Sequence, residues 1–335
     1  MAAEPLKTLF HPFEAEALPL QRKNARVLFL GAEPGFHLPG GFDAALHLVQ
    51  GFRPHFRALQ AAGNTVTPRA EGSGYDAALV LAGRHRGQNE LRIAEALERT
   101  LPGGLIVVAG GKDDGIDSLR KRINALVPLE ASLPKHHGVA FWFRRAGAEA
   151  GQALRAANPD LVVEGRFRTA PGMFSFDRID TGSKLLAANL PNDLSGNVAD
   201  FCAGWGYLAA EVAVRSTRLS GLDLYEADFE ALEAARLNVR APMEPRFFWT
   251  DLLTETVERR YDAIVMNPPF HSGRAAEPGI GAGIIRVASK ALKPGGRLFM
   301  VANRQLPYEQ VLAAAFSSHA EIARDGMFKV LSARR

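Results

Sequence analysis

The chain has 335 residues, 47% of them apolar and 23% charged, and 40 Lys and Arg against 36 Asp and Glu leave a net charge of +4. That is ordinary globular composition over a length that suits two domains of about 100–200 residues each. One cysteine, Cys202, excludes an intramolecular disulfide and a cysteine-rich zinc site. No apolar run reaches the roughly 18 residues of a membrane helix, and the charged first eleven residues lack the apolar centre of a secretory signal. The cytoplasm is the expected compartment. The small basic excess permits a polyanionic partner without requiring one.

Residues 26–31 read as a strand that ends on Gly31, and residues 75–81 as another. Residues 90–101 carry Leu91, Ala94 and Leu97 at helical spacing, and Pro102, Gly103 and Gly104 stop that helix. Residues 105–110 follow as a strand. Strand alternating with helix predicts a parallel sheet covered by helices. Gly110 to Gly115 lacks the spacing of a phosphate loop and reads as a strand-to-helix connection. Lys135-His136-His137 has no third ligand at metal spacing, so no metal is expected.

Residues 147–159, rich in Ala and Gly, read as a linker or connecting helix. The expected division is 1–146, a linker over 147–160, and 161–335. The pattern then restarts. Strands are predicted over 197–201, 219–225, 261–266 and 297–301, and helices over 231–238 and 284–292. Residues 101–108 match 292–301 in shape, and 75–80 match 261–266. This weak repeat predicts two copies of one α/β unit.

Only the second copy carries a full set of chemical features. The strand ending at Asp200 and Phe201 runs into Gly204-Trp205-Gly206, a turn in which glycine lets backbone approach a nucleotide. Glu226 lies 20 residues after Gly206, where a ribose-holding carboxylate is expected. Its alternative role is to complement a helix N-terminus. Asp223 and Asp228 compete with it, and Asp223 ranks lower because it lies inside the strand. The most specific feature is Asn267-Pro268-Pro269-Phe270 at a strand end. The prolines end the sheet and fix a rigid exit. The Asn267 side chain and the Pro268 backbone offer two carbonyl acceptors for an exocyclic amino group, and Phe270 offers a stacking face. A plain Asn-Pro turn is the bland alternative.

Asn267-Pro268-Pro269-Phe270 resembles the Asn-Pro-Pro-Phe/Tyr motif of class I S-adenosylmethionine-dependent methyltransferases that act on planar amino groups. The segments 172–186, 267–273, 301–308 and 326–330 are similar to the ribosomal RNA small subunit methyltransferase C family and its large-subunit relatives. The resemblance covers most of residues 160–335. It implies two tandem Rossmann-like class I domains, with mostly parallel seven-stranded-type sheets and helices on both faces. It implies a first copy that has lost cofactor binding and a second that methylates guanine N2 in ribosomal RNA. S-adenosylmethionine would be held by Asp200, Cys202, Gly204, Gly206, Glu226, Asp251 and Asn267, with Asp251 on the adenine amino group or, equally, capping a helix. Catalysis would rest on Asn267, Pro268, Pro269 and Phe270. Phe270, His271, Arg166, Arg168, Arg178 and Lys184 would meet RNA, although a solvated basic face fits the last four as well. The family pattern Asp-x-Gly-x-Gly-x-Gly has Cys202 at its first glycine here, where a Cβ would crowd the methionine end of the cofactor. With no His or Lys beside it in sequence, Cys202 is not expected to be a nucleophile. Two other readings account for part of the chain: an inactive assembly factor, and a methyltransferase for adenine N6 or a protein glutamine.

Overall fold

The computed structural model describes residues 4–269, 271–272, 275–276 and 278–335, with backbone alone at 271–272, 275–276 and 278. Two compact units divide the chain: Met1–Asp160 with Ala170–Gly172, and Leu161–Thr169 with Met173–Arg335.

The first unit holds α1 (Pro5–Glu14), β1 (Arg26–Leu30), β2 (Ala45–Val49), α2 (Arg53–Ala61), β3 (Val66–Thr67), β4 (Tyr75–Leu81), α3 (Arg86–Arg99), β5 (Thr100–Gly111), α4 (Ile116–Asn124), β6 (Ala131–Lys135), β7 (Gly138–Arg144) and α5 (Glu149–Ala157). Its sheet runs β3-β2-β1-β4-β5-β7-β6. Its pairs are parallel except at β7, which runs antiparallel to β5 on one side and β6 on the other. Strand β4 buries every residue but Asp76, as a parallel strand covered on both faces must.

The second unit holds β8 (Leu161–Val163), β9 (Phe167–Thr169), α6 (Thr181–Ala188), β10 (Ser195–Phe201), α7 (Tyr207–Arg215), β11 (Arg218–Glu226), α8 (Phe229–Asn238), β12 (Arg246–Trp249), β13 (Tyr261–Met266), β14 (His271–Ser272), β15 (Ala275–Ala276), α9 (Pro278–Ala291), β16 (Leu292–Asn303), α10 (Tyr308–Ala315), β17 (Ser318–Arg324) and β18 (Phe328–Arg334). Its main sheet runs β12-β11-β10-β13-β16-β18-β17, the same order as the first. The shared order bears out the expected tandem α/β class. Val198, Ile264, Val265 and Met300 are fully buried in it.

The likeness extends to local detail. Tyr75 pairs with Thr100 but Ala77 with Leu105, and Tyr261 pairs with Leu292 but Ala263 with Arg297. Each excursion is a Pro-Gly-Gly bulge. Gly103 and Gly295 both have φ +76°. Gly103 N donates to Arg145 O at 2.8 Å, and Gly295 N donates to Arg335 O at 2.9 Å. Gly104 and Gly296 have no room for a side chain: a Cβ would stand 2.8 Å from Asp76 O and 2.9 Å from Lys293 O respectively. The glycines expected as helix stops therefore lie inside the entry of the following strand.

The stretch expected to link the halves is α5, a part of the first unit. Its apolar face buries Leu154 to 1% exposure. Arg155 clasps Glu95 and Glu98 of α3 at 2.6 Å each. Among the described residues no helix is long and apolar enough to cross a membrane, and no cluster of three His, Cys, Asp or Glu could hold a metal.

Candidate active site

In the second sheet β10 pairs with β11 on one side and with β13 on the other, all parallel. The chain therefore reverses its direction of travel across the sheet at β10. Crevices form at the carboxyl ends of strands at such a point. There β10 ends on Phe201, and residues 202–206 turn into α7.

Each turn residue has a separate constraint. Gly206 has φ +90°, and a Cβ would lie 2.6 Å from Val239 Cγ2, so glycine lets α7 pack on α8. Gly204 has φ +53° with open space where a Cβ would go. Cys202 holds φ +60° with a side chain attached, a left-handed conformation that costs a non-glycine residue about 1 kcal/mol. Burial pushes its thiol well above the usual range, and the Glu226 and Asp200 carboxylates push it further. A shift in this direction favours the neutral thiol over the thiolate. Trp205 is 4% exposed, donates from Nε1 to Phe174 O at 2.9 Å and packs on Phe167.

Glu226 ends β11 and faces this turn. Its Oε2 accepts from Gly204 N at 2.7 Å, and its Oε1 accepts from Ala227 N at 2.7 Å and Asp228 N at 2.8 Å. Burial raises its carboxyl above the ordinary range. Asp200 is fully buried and is raised further for the same reason. Its Oδ2 accepts from Ala209 N at 2.8 Å, while Oδ1 has no partner among the described residues. The competitors of Glu226 are engaged elsewhere. Asp223 is buried on Arg246 and the Tyr261 hydroxyl, and Asp228 caps α8.

Asn267 follows β13 directly. Its Nδ2 donates to Asp180 Oδ2 at 3.0 Å and to Ser183 Oγ at 2.9 Å. Pro268 is buried and Pro269 exposed. Phe270 lies outside the described residues, and His271 is described only as backbone in the β14–β15 pair. Asn267, Asp180, Ser183, Phe174, Ser175 and Tyr207 line one hollow with residues 202–205 and Leu208. It is open to solvent and leaves a cavity volume of about 40 Å³, below the span of about 300–1,000 Å³ usual for a small-molecule site.

The other expected residues lie apart from this hollow's lining. Both Asp251 oxygens close a local turn, accepting from Leu253 N at 3.0 Å and Thr254 Oγ1 at 2.6 Å. Arg166 pairs with Glu211 at 2.8 Å and Lys184 with Glu164 at 2.5 Å. Arg178 meets its neighbour Asp177 at 3.3 Å, and Arg168 is exposed. Three of the four cations are thus partly neutralised by acidic neighbours.

The sequence reading does not single out Asp180, Ser183, Phe174 or Asn238 as site residues. Asn238 ties the turn to β9: its Nδ2 donates to Trp205 O at 2.8 Å, and its Oδ1 accepts from Arg168 N at 2.7 Å. An Asp three residues before a Ser at a helix start was the available signal for Asp180 as a cap. Nothing local in sequence indicates that the cap reaches Asn267.

Residues 164–332 match the methyltransferase small domain family. A ribosomal RNA small subunit methyltransferase C from Photorhabdus laumondii is 36% identical over 167 residues, 50% of this chain and 49% of that protein. The protein of the same name from Salmonella paratyphi A is 29% identical over 318 residues, 92% of each chain. A 16S rRNA N2 methyltransferase from T. thermophilus, solved with AdoMet and guanosine, superposes with a TM-score of 0.79. That match is 24% identical and covers 100% of this chain and 94% of the other, which establishes the tandem fold. A family match across half the chain, full-length relatives and a shared fold together place the protein in the ribosomal RNA small subunit methyltransferase C family, with a methyltransferase small domain as its second unit.

Proposed function

We propose that the protein methylates the exocyclic N2 of a guanine in small-subunit ribosomal RNA, with S-adenosylmethionine as methyl donor. The observation that carries this reading is the Asn267 amide, which lines the same hollow as the Cys202–Gly204 turn. A cofactor on the turn and an amine on Asn267 would be neighbours.

The residues present suit the cofactor. Among the described residues the lining includes no Lys or Arg, and its charged side chain is Asp180. Asp200 and Glu226 lie close enough to raise the Cys202 thiol. Such a site favours a ligand with cationic centres. The bare Cβ position at Gly204 leaves space for a close approach. Glu226 at the end of β11 would hold the ribose. Bound there, S-adenosylmethionine supplies a methyl group on a sulfonium.

The chain's own work is alignment. The guanine amino lone pair is delocalised into its ring. Asn267 Oδ1 and the Pro268 carbonyl accept from that amino group and aim the nitrogen. Its proton turns acidic only once the new bond forms, so no strong general base is required. Unstacking the base costs a few kcal/mol, and a face such as Phe270 returns about 1–3 kcal/mol. His271, Arg166, Arg168, Arg178 and Lys184 would face RNA, Asp251 the adenine, and the first unit would hold RNA without cofactor. The place of action is the cytoplasm.

The test is transfer of labelled methyl to small-subunit RNA or subunits, followed by nucleoside mass spectrometry. The expected product is N2-methylguanosine at one site. Label in adenosine or protein, or none at saturating cofactor, overturns the reading.

A further inference from the structure

A side-chain amide has two unlike ends: one carries two donors, and the other only accepts. Which end meets the target decides whether Asn267 can clamp an amino group at all. In this fold α6 makes that choice. Asp180 caps the helix, and its Oδ2 accepts from Ser183 N at 2.8 Å and from Asn267 Nδ2 at 3.0 Å. Ser183 Oγ accepts the second Asn267 N–H at 2.9 Å. A carboxylate offers no proton, so the amide atom facing Asp180 must be nitrogen. With both N–H bonds spent on α6, Oδ1 is the end left for an amino group. The bond to Asp180 is charge-assisted, and bonds in series polarise one another. Pull on the nitrogen side therefore makes Oδ1 a stronger acceptor. Ser183 is 8% exposed, so water does little to weaken the pair.

We propose that Asp180 and Ser183 are positioning residues for methyl transfer, locking the Asn267 amide with its oxygen toward the nucleophilic amine. This rests on Asn267 as the clamp and adds what orients it: a helix cap 84 and 87 residues earlier in the chain. Neither residue touches the reacting atoms.

The test is a swap. Asn267→Asp sets two carboxylates against each other with no donor between them, and turnover should fall about 100-fold or more. Adding Asp180→Asn places an amide nitrogen where Oδ2 stood, which donates to the new carboxylate at the cost of the cap on Ser183 N. The double variant should regain at least about tenfold over Asn267→Asp. A role in folding alone predicts no such recovery. If wild type methylates guanine and the double variant is no faster than the single, the lock is wrong. If wild type methylates nothing, the functional reading fails, and a second measurement still decides the lock. In protein carrying ¹⁵N-asparagine, the Asn267 side-chain pair is identified by its loss in Asn267→Asp. Ser183→Ala should move one of its two proton signals and speed its exchange with solvent. An unmoved pair overturns the lock.

Discussion

The two units share one strand order, one Pro-Gly-Gly bulge and matching glycine dihedrals, yet the Asn267 hollow is lined by the second alone. Register makes them comparable residue by residue. Leu30 pairs with Val49 and Val80, as Phe201 pairs with Tyr225 and Met266. Gly31 therefore answers to Cys202, Gly35 to Gly206, Gln50 to Glu226 and Leu81 to Asn267. Gly31 and Gly35 keep positive φ, +71° and +87°, against +60° and +90°. The chemistry differs. Gln50 Nε2 turns onto Ala32 O at 2.6 Å and its Oε1 accepts from Phe52 N, so it spends itself on its own turn. Arg92 Nη1 donates to Leu81 O and stands 2.7 Å from where a Gly31 Cβ would be. No helix forms between β1 and β2, whereas α7 follows the turn in the second unit. Two turns with one backbone thus differ in chemistry: an Arg92 guanidinium beside Gly31, an amide for a carboxylate, and no helix N-terminus after the turn.

The largest expected effect breaks the second unit at the position where the first has leucine. Asn267→Ala should lower kcat about 100- to 1,000-fold and leave cofactor affinity, read by calorimetry, nearly unchanged. A wild-type rate would remove the clamp. Next, Glu226→Gln makes the second turn resemble the first. It should weaken cofactor binding about 10- to 100-fold, the worth of hydrogen bonds to a charged group. The reverse change, Gln50→Glu, should add no second site, because Arg92 still fills the space. Two cofactors per chain in that variant would sink the comparison.

A smaller effect isolates the backbone. Cys202→Gly and Cys202→Ala both remove the thiol, but only glycine accepts φ +60° freely. The glycine variant should be more stable by about 1 kcal/mol in denaturant unfolding. Equal stability would mean that the left-handed conformation costs nothing here. The smallest effect is electrostatic. Burial raises Asp200 and Glu226 above their ordinary values of 3.8 and 4.5. The folded protein therefore keeps protons that the unfolded chain has lost. Their contribution to stability is full below those values and declines as pH rises toward the folded ones. A cationic ligand favours the ionised forms, so its affinity should rise with pH over the same window. Calorimetry in two buffers of different ionisation heat should show proton release on binding, and uptake would contradict the assignment.

Much of this was legible in the chain itself. Mostly apolar runs such as residues 75–81 and 261–266 read as strands, and Pro-Gly-Gly at 102–104 and 294–296 marks the same break twice, although it reads as a helix stop and only the structure makes it a bulge at a strand entry. The Asn267-Pro268-Pro269 exit and the Glu226 spacing after Gly206 are local patterns, and local patterns survive in sequence. Hydrogen bonds between distant segments do not. Asp180 and Ser183 reach Asn267 only after α6 packs on β16 and β18. Asp251 could be an adenine contact or a cap, and the fold turns both its oxygens onto its own loop. Arg166 and Lys184 look free in sequence but find carboxylates on neighbouring elements. Composition and periodicity determine which residues form strands and where the chain turns, because those depend on near neighbours. Which side chains share a cavity, and which charges are already answered, depends on packing, and only the tertiary structure decides it.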